Sequence, residues 1–594
     1  MLEKQFPVLR YRPEQHRFDS LQQAPHQVAT WTTYSNLCLQ LLNTKLKVTW
    51  SIAVTDSKVG AATTMAPAPR FAPEGPFNRT TSSGRRLNLS AKCLALGLVF
   101  ALSIRAVMYL RYAMRAMNYP FSLDYAEGMV WQQALLIPGQ KMYGDITHYP
   151  YIVFYYPPLY HLLVRALSSV GVDFLVAGRV ISFGATIVTC AFLGAITIRI
   201  AREFSSATAC TIGAIVASLM LLSFQAVQEW AVLMRVDMVA FAMASAGIYV
   251  TIIAGQRLIF LCGAFSLFVL AIFTKPTTLS APLAAFMVAS VLNLRSAARA
   301  IVFAFLLGGI ALVTLETYSG GGFLRHLVAY NLNPFSFHHL ADLFWVQRFD
   351  LVAAFTAVIT IWLLWGELLQ GHSLNKRPMI LRGLKESAAM RAFILMTLWA
   401  ILSSLMLFTA GRSGASDNYF IECLCVVSIL IGLLMAVIWE GNWRVLGIQS
   451  PLVSYAVATF VPAALVASVL FQSTGENGQV YNADESAIQT RLVERIHDSA
   501  KPVLSEDMIL LLRAGKAVPI EPFGFARLSE QGVWNQAPFL RMLREHSFAF
   551  VITTRESQAV SAQRFTPEMT DEIARNYPMT EIDGAFVMHL STRN

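Results

Sequence analysis

Charged residues are scarce in this chain. Asp, Glu, Lys and Arg make up 14% of its 594 residues, whereas 55% of the residues are hydrophobic. Soluble globular domains carry about 25% charged residues. The scarcity of charge therefore excludes an ordinary soluble protein and indicates an integral membrane protein.

Cysteine is also rare, and its placement argues against disulfide bonds. The chain has seven cysteines, most of them in or beside apolar runs, where cysteine acts as a small hydrophobic residue. No cysteine pair has metal-ligand spacing with histidine, and the C-terminal region has no cysteine. We therefore expect neither a disulfide framework nor a cysteine-based metal site.

Negative charge is outweighed by positive charge, and the formal net charge is +10. No module of interleaved basic and aromatic residues accompanies this charge, which argues against nucleic-acid binding. The Lys and Arg residues fall mostly in short loops between apolar runs, as expected for contacts with anionic lipid headgroups. We therefore predict a lipid bilayer as the partner of the positive charge.

Residues 1–88 lack the long apolar runs of the rest of the chain. They are polar and mixed, and they include the segment MAPAPRFAPEGPFNRTTSSGRR, which is typical of a disordered linker. No basic segment followed by an apolar one opens the chain, so we expect a disordered cytosolic tail without a cleavable signal peptide. The alternative is a misassigned start, with translation beginning downstream, for example at Met65.

Apolar runs long enough to cross a bilayer begin near residue 89. A spanning helix needs about 17 to 25 apolar residues, and about eleven segments satisfy this requirement. They are residues 89–111, 177–198, 207–225, 236–254, 258–274, 278–294, 299–317, 350–369, 392–410, 419–439 and 450–471. This predicts a mainly α-helical transmembrane domain over residues 89–471.

Lys and Arg residues in alternate loops predict the orientation of these spans. If Arg85 lies inside the cell, Arg199 and Arg257 lie inside as well. The loop after the first span and the loop after residue 317 then face outward. This alternation requires residues 157–170 to form an amphipathic helix on the membrane surface.

Residues 472–594 alternate predicted strands with predicted helices. KPVLSED, VPIEPF and FAFVITT are typical of strands, whereas MILLLRAG and APFLRMLREH are typical of helices. This alternation predicts a small extracytoplasmic α/β domain. It contains neither a phosphate-binding glycine loop nor a nucleophile elbow.

The long first outer loop, residues 118–160, carries an acidic pair. Asp124 and Glu127 are three residues apart, so a helix would place both carboxylates on one face. A carboxylate is a suitable base for the proton of an acceptor hydroxyl, and its charge is costly to keep beside a bilayer. The alternative is that the pair caps a surface helix, for which Ser122 and Asp124 are both suitable.

Several ordered motifs of this region resemble a known family. LDYAEG, QALLIPGQKMYGD, YYPPLYHLLVRAL and GRVISFGATI follow the first apolar helix in that order. This arrangement resembles the GT-C superfamily of integral-membrane glycosyltransferases, in particular protein mannosyltransferases and lipid A aminoarabinose transferases. The resemblance extends over residues 89–471 and is densest in residues 118–185.

The resemblance implies a donor and a set of site residues. Members of the family use a polyprenyl-phosphate sugar, and their first outer loop carries the catalytic Asp. The resemblance therefore implies that Asp124 is the catalytic residue, with Glu127 beside it. Family members often have a charged residue before the Pro-Pro pair, where this chain has Tyr155 and Tyr156. Tyr156 is the candidate donor contact at this position.

The phosphate of such a donor needs cations near the outer membrane boundary. Lys275, in FTKPTTLSAPLAA, ends a predicted span on the outer side, and Arg412 lies in the short outer loop GRSGASDNYFIE. Both are candidate phosphate ligands. The alternative for each is a helix-end residue whose charged group extends to the headgroup region.

Other polar residues are weaker candidates. His148 lies in the acidic loop and is a candidate acceptor contact, although a lone His is more often structural. Arg235 and Asp237 begin a span two residues apart, so they do not face each other and each is expected to pair with another helix. No His/Asp cluster requires a metal. No cofactor is therefore predicted, and a divalent metal, which some relatives bind, is left open.

The loop at residues 318–350 is polar and aromatic. His338 and His339 are adjacent, so on a helix they point about 100° apart and make a poor chelate. We predict that this loop is a lid or an acceptor-binding surface.

These observations lead to two hypotheses from different classes, and a polymerase or ligase of surface polysaccharide is a third possibility that shares much of the chemistry of the first. The first is a glycosyltransferase that moves a sugar from a polyprenyl-phosphate donor to a hydroxyl of a lipid, glycan or protein. Transfer would occur with inversion on the outer face of the membrane, which in a bacterium is the periplasmic face of the inner membrane. The second is a transporter or lipid flippase for an envelope glycoconjugate, which would need charges near the midplane of several helices. Arg105 is the main such charge.

Overall fold

The computed structural model describes residues 82–139, 142–370, 387–441, 448, 450–555 and 564–592. All of them belong to one compact unit. The predicted disordered tail lies outside these residues, except for residues 82–88, which belong to the first helix.

The described residues that precede residue 472 form helices joined by loops. The longer helices consist almost entirely of apolar residues, so they are suited to burial in protein or lipid on all sides. The helices are α1 Ser82–Asn118, α2 Ala126–Leu136, α3 Leu159–Ser168, α4 Phe174–Ala201, α5 Ala207–Ser223, α6 Gln225–Trp230, α7 Asp237–Ala254, α8 Leu258–Ile272, α9 Ser280–Leu292, α10 Leu294–Tyr318, α11 Gly322–Leu327, α12 Phe337–Val346, α13 Leu351–Gln370, α14 Ala388–Met406, α15 Ile421–Glu440 and α16 Pro451–Phe471.

Within the described residues, seven helices are long and apolar enough to cross a membrane, or eight if the bent pair of α12 and α13 forms one span. The helices α5, α8 and α9 are apolar but shorter. Each of the eleven predicted spans contains one of these long or shorter apolar helices, or α13 of the bent pair. The helices support an integral, multi-pass membrane protein, and the count of eleven spans stays a prediction.

Helix α15 lies at the centre of the bundle, since nearly all of its residues are buried inside the protein. It packs very closely against α5. A Cβ atom added to Gly213 would lie 2.5 Å from the carbonyl oxygen of Gly432, and the reverse contact is equally short. Small residues permit this backbone approach between helices in a membrane.

The buried guanidinium of Arg105 on α1 joins the ends of two other helices. It donates hydrogen bonds to the carbonyl oxygens of Ser223 at 3.1 Å, Val469 at 3.1 Å and Gln472 at 2.9 Å. The last carbonyls of a helix have no partner within that helix. Arg105 therefore caps α5 and α16, which is a structural use of this charge.

Helix α3 corresponds to the predicted surface helix. It has ten residues and is therefore about 15 Å long, which is half the thickness of a hydrocarbon core. Tyr160 and His161 on this helix are buried. The hydroxyl of Tyr160 donates to the carbonyl oxygen of Gly178 at 2.8 Å, which fixes α3 against α4.

The C-terminal part combines helices with one four-stranded sheet of order β1-β2-β4-β3. Strands β1 and β2 are parallel, with Leu504 opposite Val551, and the other two pairs are antiparallel. The elements are α17 Ala483–His497, β1 Leu504–Ser505, α18 Met508–Arg513, α19 Pro522–Glu530, α20 Ala537–Arg544, β2 Phe550–Thr554, α21 Pro567–Asn576, β3 Met579–Asp583 and β4 Phe586–Leu590.

The prediction of a strand at VPIEPF is wrong. Ile520 forms only a single parallel bridge, to Tyr151 of the first outer loop, where the Tyr151 amide donates to Pro519 at 2.9 Å. Pro519 and Pro522 have no amide hydrogen and cannot donate to a sheet. Pro522 instead begins α19, a position that suits proline.

The first outer loop and the C-terminal part share one hydrophobic core. Trp131 and Val130 of α2 belong to the same cluster as Met508 and Leu511 of α18 and Ile552 of β2. Gly128 allows this contact, because a Cβ atom there would lie 2.7 Å from the Cβ of Met508. The C-terminal part therefore packs through α18 on the loop that carries the acidic pair.

Candidate active site

Asp124 lies between α1 and α2, at the edge of the contact with the C-terminal part. Its Oδ1 accepts hydrogen bonds from the amide of Ala126 and from Nη1 of Arg235, both at 3.1 Å. One third of the Asp124 side chain is exposed. Within the described part of the chain, no residue donates to its Oδ2. The carboxylate is therefore fixed through one oxygen and open through the other.

Arg235 is the basic partner of this carboxylate. Its Nη2 lies 3.3 Å from the hydroxyl of Tyr156, and its guanidinium lies 4.7 Å from the ring centroid of Trp230. The indole of Trp230 in turn donates to Asp417 at 2.6 Å. Arg235 thus brings Asp124 and Tyr156 together, two of the residues predicted for the site.

Glu127 is placed differently, in a fully buried ion pair with Arg179 of α4. Nε and Nη2 of Arg179 donate to its two oxygens at 2.8 and 2.7 Å. The amides of Leu123 and Met234 also donate to it, both at 2.8 Å. Two oxygens with four donors are saturated, so this placement favours a positioning role over the predicted catalytic role.

The Arg179 guanidinium holds the end of α1 as well. It donates to the carbonyl oxygens of Ala116 at 2.9 Å, Tyr119 at 2.6 Å and Phe121 at 2.7 Å. The turn that leads to Asp124 is therefore fixed by an arginine that follows it by more than fifty residues.

Lys275 is buried and paired with Asp237. Nζ of Lys275 lies 2.6 Å from Oδ1 of Asp237, which also accepts from the amide group of Asn418 at 2.8 Å. The ammonium group lies 4.8 Å from the ring centroid of Tyr419. Asp237 therefore already balances the charge of Lys275. As predicted, Arg235 and Asp237 do not pair with each other, but their partners Asp124 and Lys275 lie in loops and not on other helices.

Glu521 of the C-terminal part contacts the neighbours of two site residues. Its carboxylate accepts from the hydroxyl of Tyr125 at 2.8 Å and from that of Tyr155 at 3.1 Å. Tyr125 follows Asp124 in the chain, and Tyr155 precedes Tyr156. A carboxylate that is 3% exposed thus links α19 to both sides of the candidate site.

The electrostatic environment of Asp124 combines opposing effects. Although a third of its side chain reaches solvent, the surrounding protein desolvates the carboxylate and raises its pKa. The guanidinium of Arg235 lowers this pKa, the carboxylate of Glu127 raises it and Arg564 lowers it. Arg564 comes from the C-terminal part and lies 3.9 Å from the ring centroid of Tyr125.

Arg412 lies in an exposed turn beside α12. Among the described residues its side chain has no ion pair and no hydrogen bond. The turn is fixed through the backbone, since the amide of Ser336 donates to Gly411 at 2.7 Å and that of Ser413 donates to Pro334 at 2.9 Å. Asp417, further along the same segment, accepts a hydrogen bond from the indole of Trp230, whose ring lies against the Arg235 guanidinium.

His148 lies apart from this cluster. Its ring is largely exposed and contacts Asp145 at 2.9 Å. Of the adjacent His338 and His339, the first pairs with Asp342 at 2.7 Å and the second contacts the carbonyl oxygen of Ala415. The described residues contain no group of three or more His, Cys, Asp or Glu side chains that could hold a metal ion.

Arg179, Glu521 and Arg564 were not singled out in the sequence. Arg179 carried a signal, because a charge within the predicted span 177–198 is costly in a membrane and has a specific use. Glu521 and Arg564 had no local signal, since each acts on a loop that is hundreds of residues away in the chain.

The structure of this chain is similar to solved structures of membrane transferases. The ArnT protein from Cupriavidus metallidurans bound to undecaprenyl phosphate is 13% identical, with a TM-score of 0.46 over 83% of this chain and 98% of ArnT. The oligosaccharyltransferase of Archaeoglobus fulgidus in the apo form is 11% identical, with a TM-score of 0.49 over 84% of this chain and 75% of that one. Both are members of the GT-C family.

A second structure of the Archaeoglobus fulgidus enzyme contains an inhibitory peptide and a dolichol-phosphate, and its TM-score is 0.45 at 11% identity. It covers 83% of this chain and 74% of its own. No family model matches the chain, and no curated protein sequence matches it.

Proposed function

We propose that this protein is a glycosyltransferase that moves a sugar from a polyprenyl-phosphate donor to an acceptor hydroxyl on the outer face of the membrane. The observation that carries the proposal is the hydrogen bonding of the Asp124 carboxylate. One of its oxygens is held by Arg235 and the amide of Ala126, and the other lacks a donor among the described residues. A carboxylate in this state is oriented and can still accept a proton.

The reaction is a single displacement. Oδ2 of Asp124 takes the proton of the acceptor hydroxyl, whose oxygen attacks the anomeric carbon of the donor sugar. The bond between that carbon and the phosphate oxygen breaks, and polyprenyl phosphate leaves with the electron pair. Because attack and departure occur on opposite faces of the carbon, the configuration inverts.

The leaving phosphate needs a cation that is not already balanced. Arg412 is exposed and has no carboxylate partner in the described part of the chain, so we assign the phosphate contact to Arg412. Lys275 is balanced by Asp237, so we assign it only a secondary role towards the phosphate. Tyr156 is held beside Arg235 and offers a hydroxyl next to Asp124, and His148 stays a candidate acceptor contact at the loop surface.

The Arg105 contacts favour transfer over transport. A transporter would use such a charge near a substrate path at the midplane. Arg105 instead donates to helix-end carbonyls of α5 and α16, so its charge is already used for packing. The acceptor of the proposed transfer is a lipid, a glycan or a protein.

The test is transfer by the purified protein in liposomes. Radiolabelled polyprenyl-phosphate sugars are offered as a panel, with a membrane extract as acceptor. We expect transfer by the wild type and a loss of about 10²- to 10⁴-fold in Asp124→Asn, which is the usual contribution of a general base. The matched control is Asp484→Asn in the first turn of α17, because Asp484 is exposed and lies outside the first outer loop.

Two outcomes would contradict the proposal. Wild-type activity in Asp124→Asn would remove Asp124 from the reaction. Movement of labelled donor across the bilayer without any transfer, across the whole donor panel, would assign the protein to lipid transport.

A further inference from the structure

An aromatic face of α12 is exposed along its whole length. Phe337, Phe344 and Trp345 lie at positions i, i+7 and i+8, which places them on one face of a helix. Their exposed fractions are 77%, 40% and 70%. Leu340, three residues after Phe337, is buried, so the bundle contacts α12 along the edge of this face that lies away from His338.

The direction of α12 follows from the helix after it. Helix α13 has 20 residues and is therefore about 30 Å long, which matches the thickness of the hydrocarbon core. Helix α12 meets it at a bend of 91°. A helix at a right angle to a membrane span lies parallel to the membrane surface.

The polar residues of α12 lie on one edge of the aromatic face. His338 and Asp342 pair at 2.7 Å, and both side chains are largely exposed. A helix with large aromatic residues on one face and polar residues beside them is suited to the boundary between headgroups and acyl chains. Tryptophan in particular is enriched at that depth.

The exposed apolar surface continues before α12. Leu332 and Phe335 are 65% and 46% exposed, and the rings of Phe335 and Phe337 lie 4.9 Å apart. Soluble surfaces rarely expose apolar patches of this extent. The patch is also continuous with α13, whose Leu351 and Phe355 are exposed as expected for a helix in lipid.

We propose that α12 lies in the bilayer interface, with Phe337, Phe344 and Trp345 in contact with lipid acyl chains. The occupant of this surface is the lipid bilayer at the end of the bundle that carries the C-terminal part. This replaces the lid expected for this part of the loop 318–350. The proposal does not depend on glycosyl transfer.

The interfacial position of α12 has a consequence for Arg412. The residues before α12 pair with the Arg412 turn through Ser336 and Ser413, and Phe335 forms a bridge with Arg412 itself. A helix anchored in the interface therefore holds the backbone of Arg412 at the membrane boundary, from which its long side chain can reach the depth of the lipid phosphates. If the proposed function is correct, this is also the depth of the donor phosphate.

The experiment measures the depth of Trp345 in the full-length protein in nanodiscs. The tryptophan emission of Trp345→Phe is subtracted from that of the wild type, which isolates the signal of Trp345. The quenching of this signal is then measured with three quenchers. They are phosphatidylcholine brominated in the upper acyl chain, phosphatidylcholine brominated near the chain end, and aqueous iodide. The matched control is Trp534→Phe, since Trp534 is buried in the C-terminal part and 4% exposed.

We expect upper-chain bromine to reduce the Trp345 signal by roughly half or more, since an interfacial helix lies about 5 to 10 Å deep. Chain-end bromine and iodide should have smaller effects, and the Trp534 signal should respond to none of them. Quenching by iodide alone would overturn the proposal and make α12 a water-facing lid. Protection from all quenchers would overturn it too, by showing that protein covers the face.

Discussion

At the residue scale, the ion pair between Glu127 and Arg179 has the clearest energetic consequence. Both side chains are fully buried, and removal of one partner leaves the other charge without compensation. We expect Glu127→Gln to lower the free energy of unfolding by about 3 to 5 kcal/mol. The measurement is thermal unfolding of the purified protein in detergent.

A suitable control for this variant is Glu581→Gln. Glu581 pairs with Arg495, and both side chains are about half exposed, so the loss should stay below about 1 kcal/mol. A Glu127→Gln protein that unfolds at the wild-type temperature but no longer transfers sugar would restore the catalytic role predicted for Glu127.

The pKa of Asp124 gives a prediction about pH. Burial raises this pKa and the Arg235 guanidinium opposes the rise. A base works in its deprotonated form, so transfer is lost as the pH falls through the pKa of Asp124. In Arg235→Gln the opposing charge is gone, the pKa rises further, and the acid limb of the kcat/KM profile should move to higher pH.

The conservative variant Arg235→Lys keeps the positive charge and should leave the acid limb close to its wild-type position. An acid limb that is the same in Arg235→Gln and the wild type would show that another group titrates. In that case Asp124 would not be the base.

At the scale of elements, Glu521 connects α19 to the acidic loop through Tyr125 and Tyr155. Its carboxylate also accepts from the amide of Gly524 at 2.8 Å, at the start of α19. We expect Glu521→Gln to loosen the loop, because a carboxamide has one acceptor oxygen where the carboxylate has two. Amide hydrogen exchange in residues 120–128 should become faster, and kcat should fall with little change in the KM for the donor.

Glu568→Gln is the comparison, since Glu568 is exposed on α21 and contacts Gln536, away from the loop. Equal exchange rates in residues 120–128 of Glu521→Gln and the wild type would exclude a positioning role for Glu521. This readout is independent of any transfer activity.

At the scale of the whole molecule, the orientation in the membrane decides which compartment the site faces. The loop that carries Asp124 and the C-terminal part share a core, so they lie on the same side. We expect alkaline phosphatase fused after residue 592 to be active outside the cytosol, and a fusion after Gly255 to be inactive. Green fluorescent protein at the same two positions should show the reverse pattern. Active phosphatase after Gly255 and fluorescent protein after residue 592 would instead place the site in the cytosol.

Much of the helical architecture was readable from the sequence because the apolar runs are continuous. Each predicted span contains a helix, from α1 to α16, and α3 is too short to cross the membrane, as its polar residues indicated. Local composition determines such elements, since a long apolar segment must bury its surface wherever it lies. The VPIEPF segment was misread because its apolar residues resemble a strand while its prolines prevent one.

The sequence by itself determined that the chain is a multi-pass membrane protein and that Asp124 lies in an acidic loop outside the spans. Only the tertiary structure decided which cation meets which carboxylate: Arg235 with Asp124, Arg179 with Glu127 and Lys275 with Asp237. The partners of each pair lie on different elements, so helix packing brings them together and local sequence carries no record of the match. The same holds for Glu521, which reaches the site because the C-terminal part packs on α2 through α18.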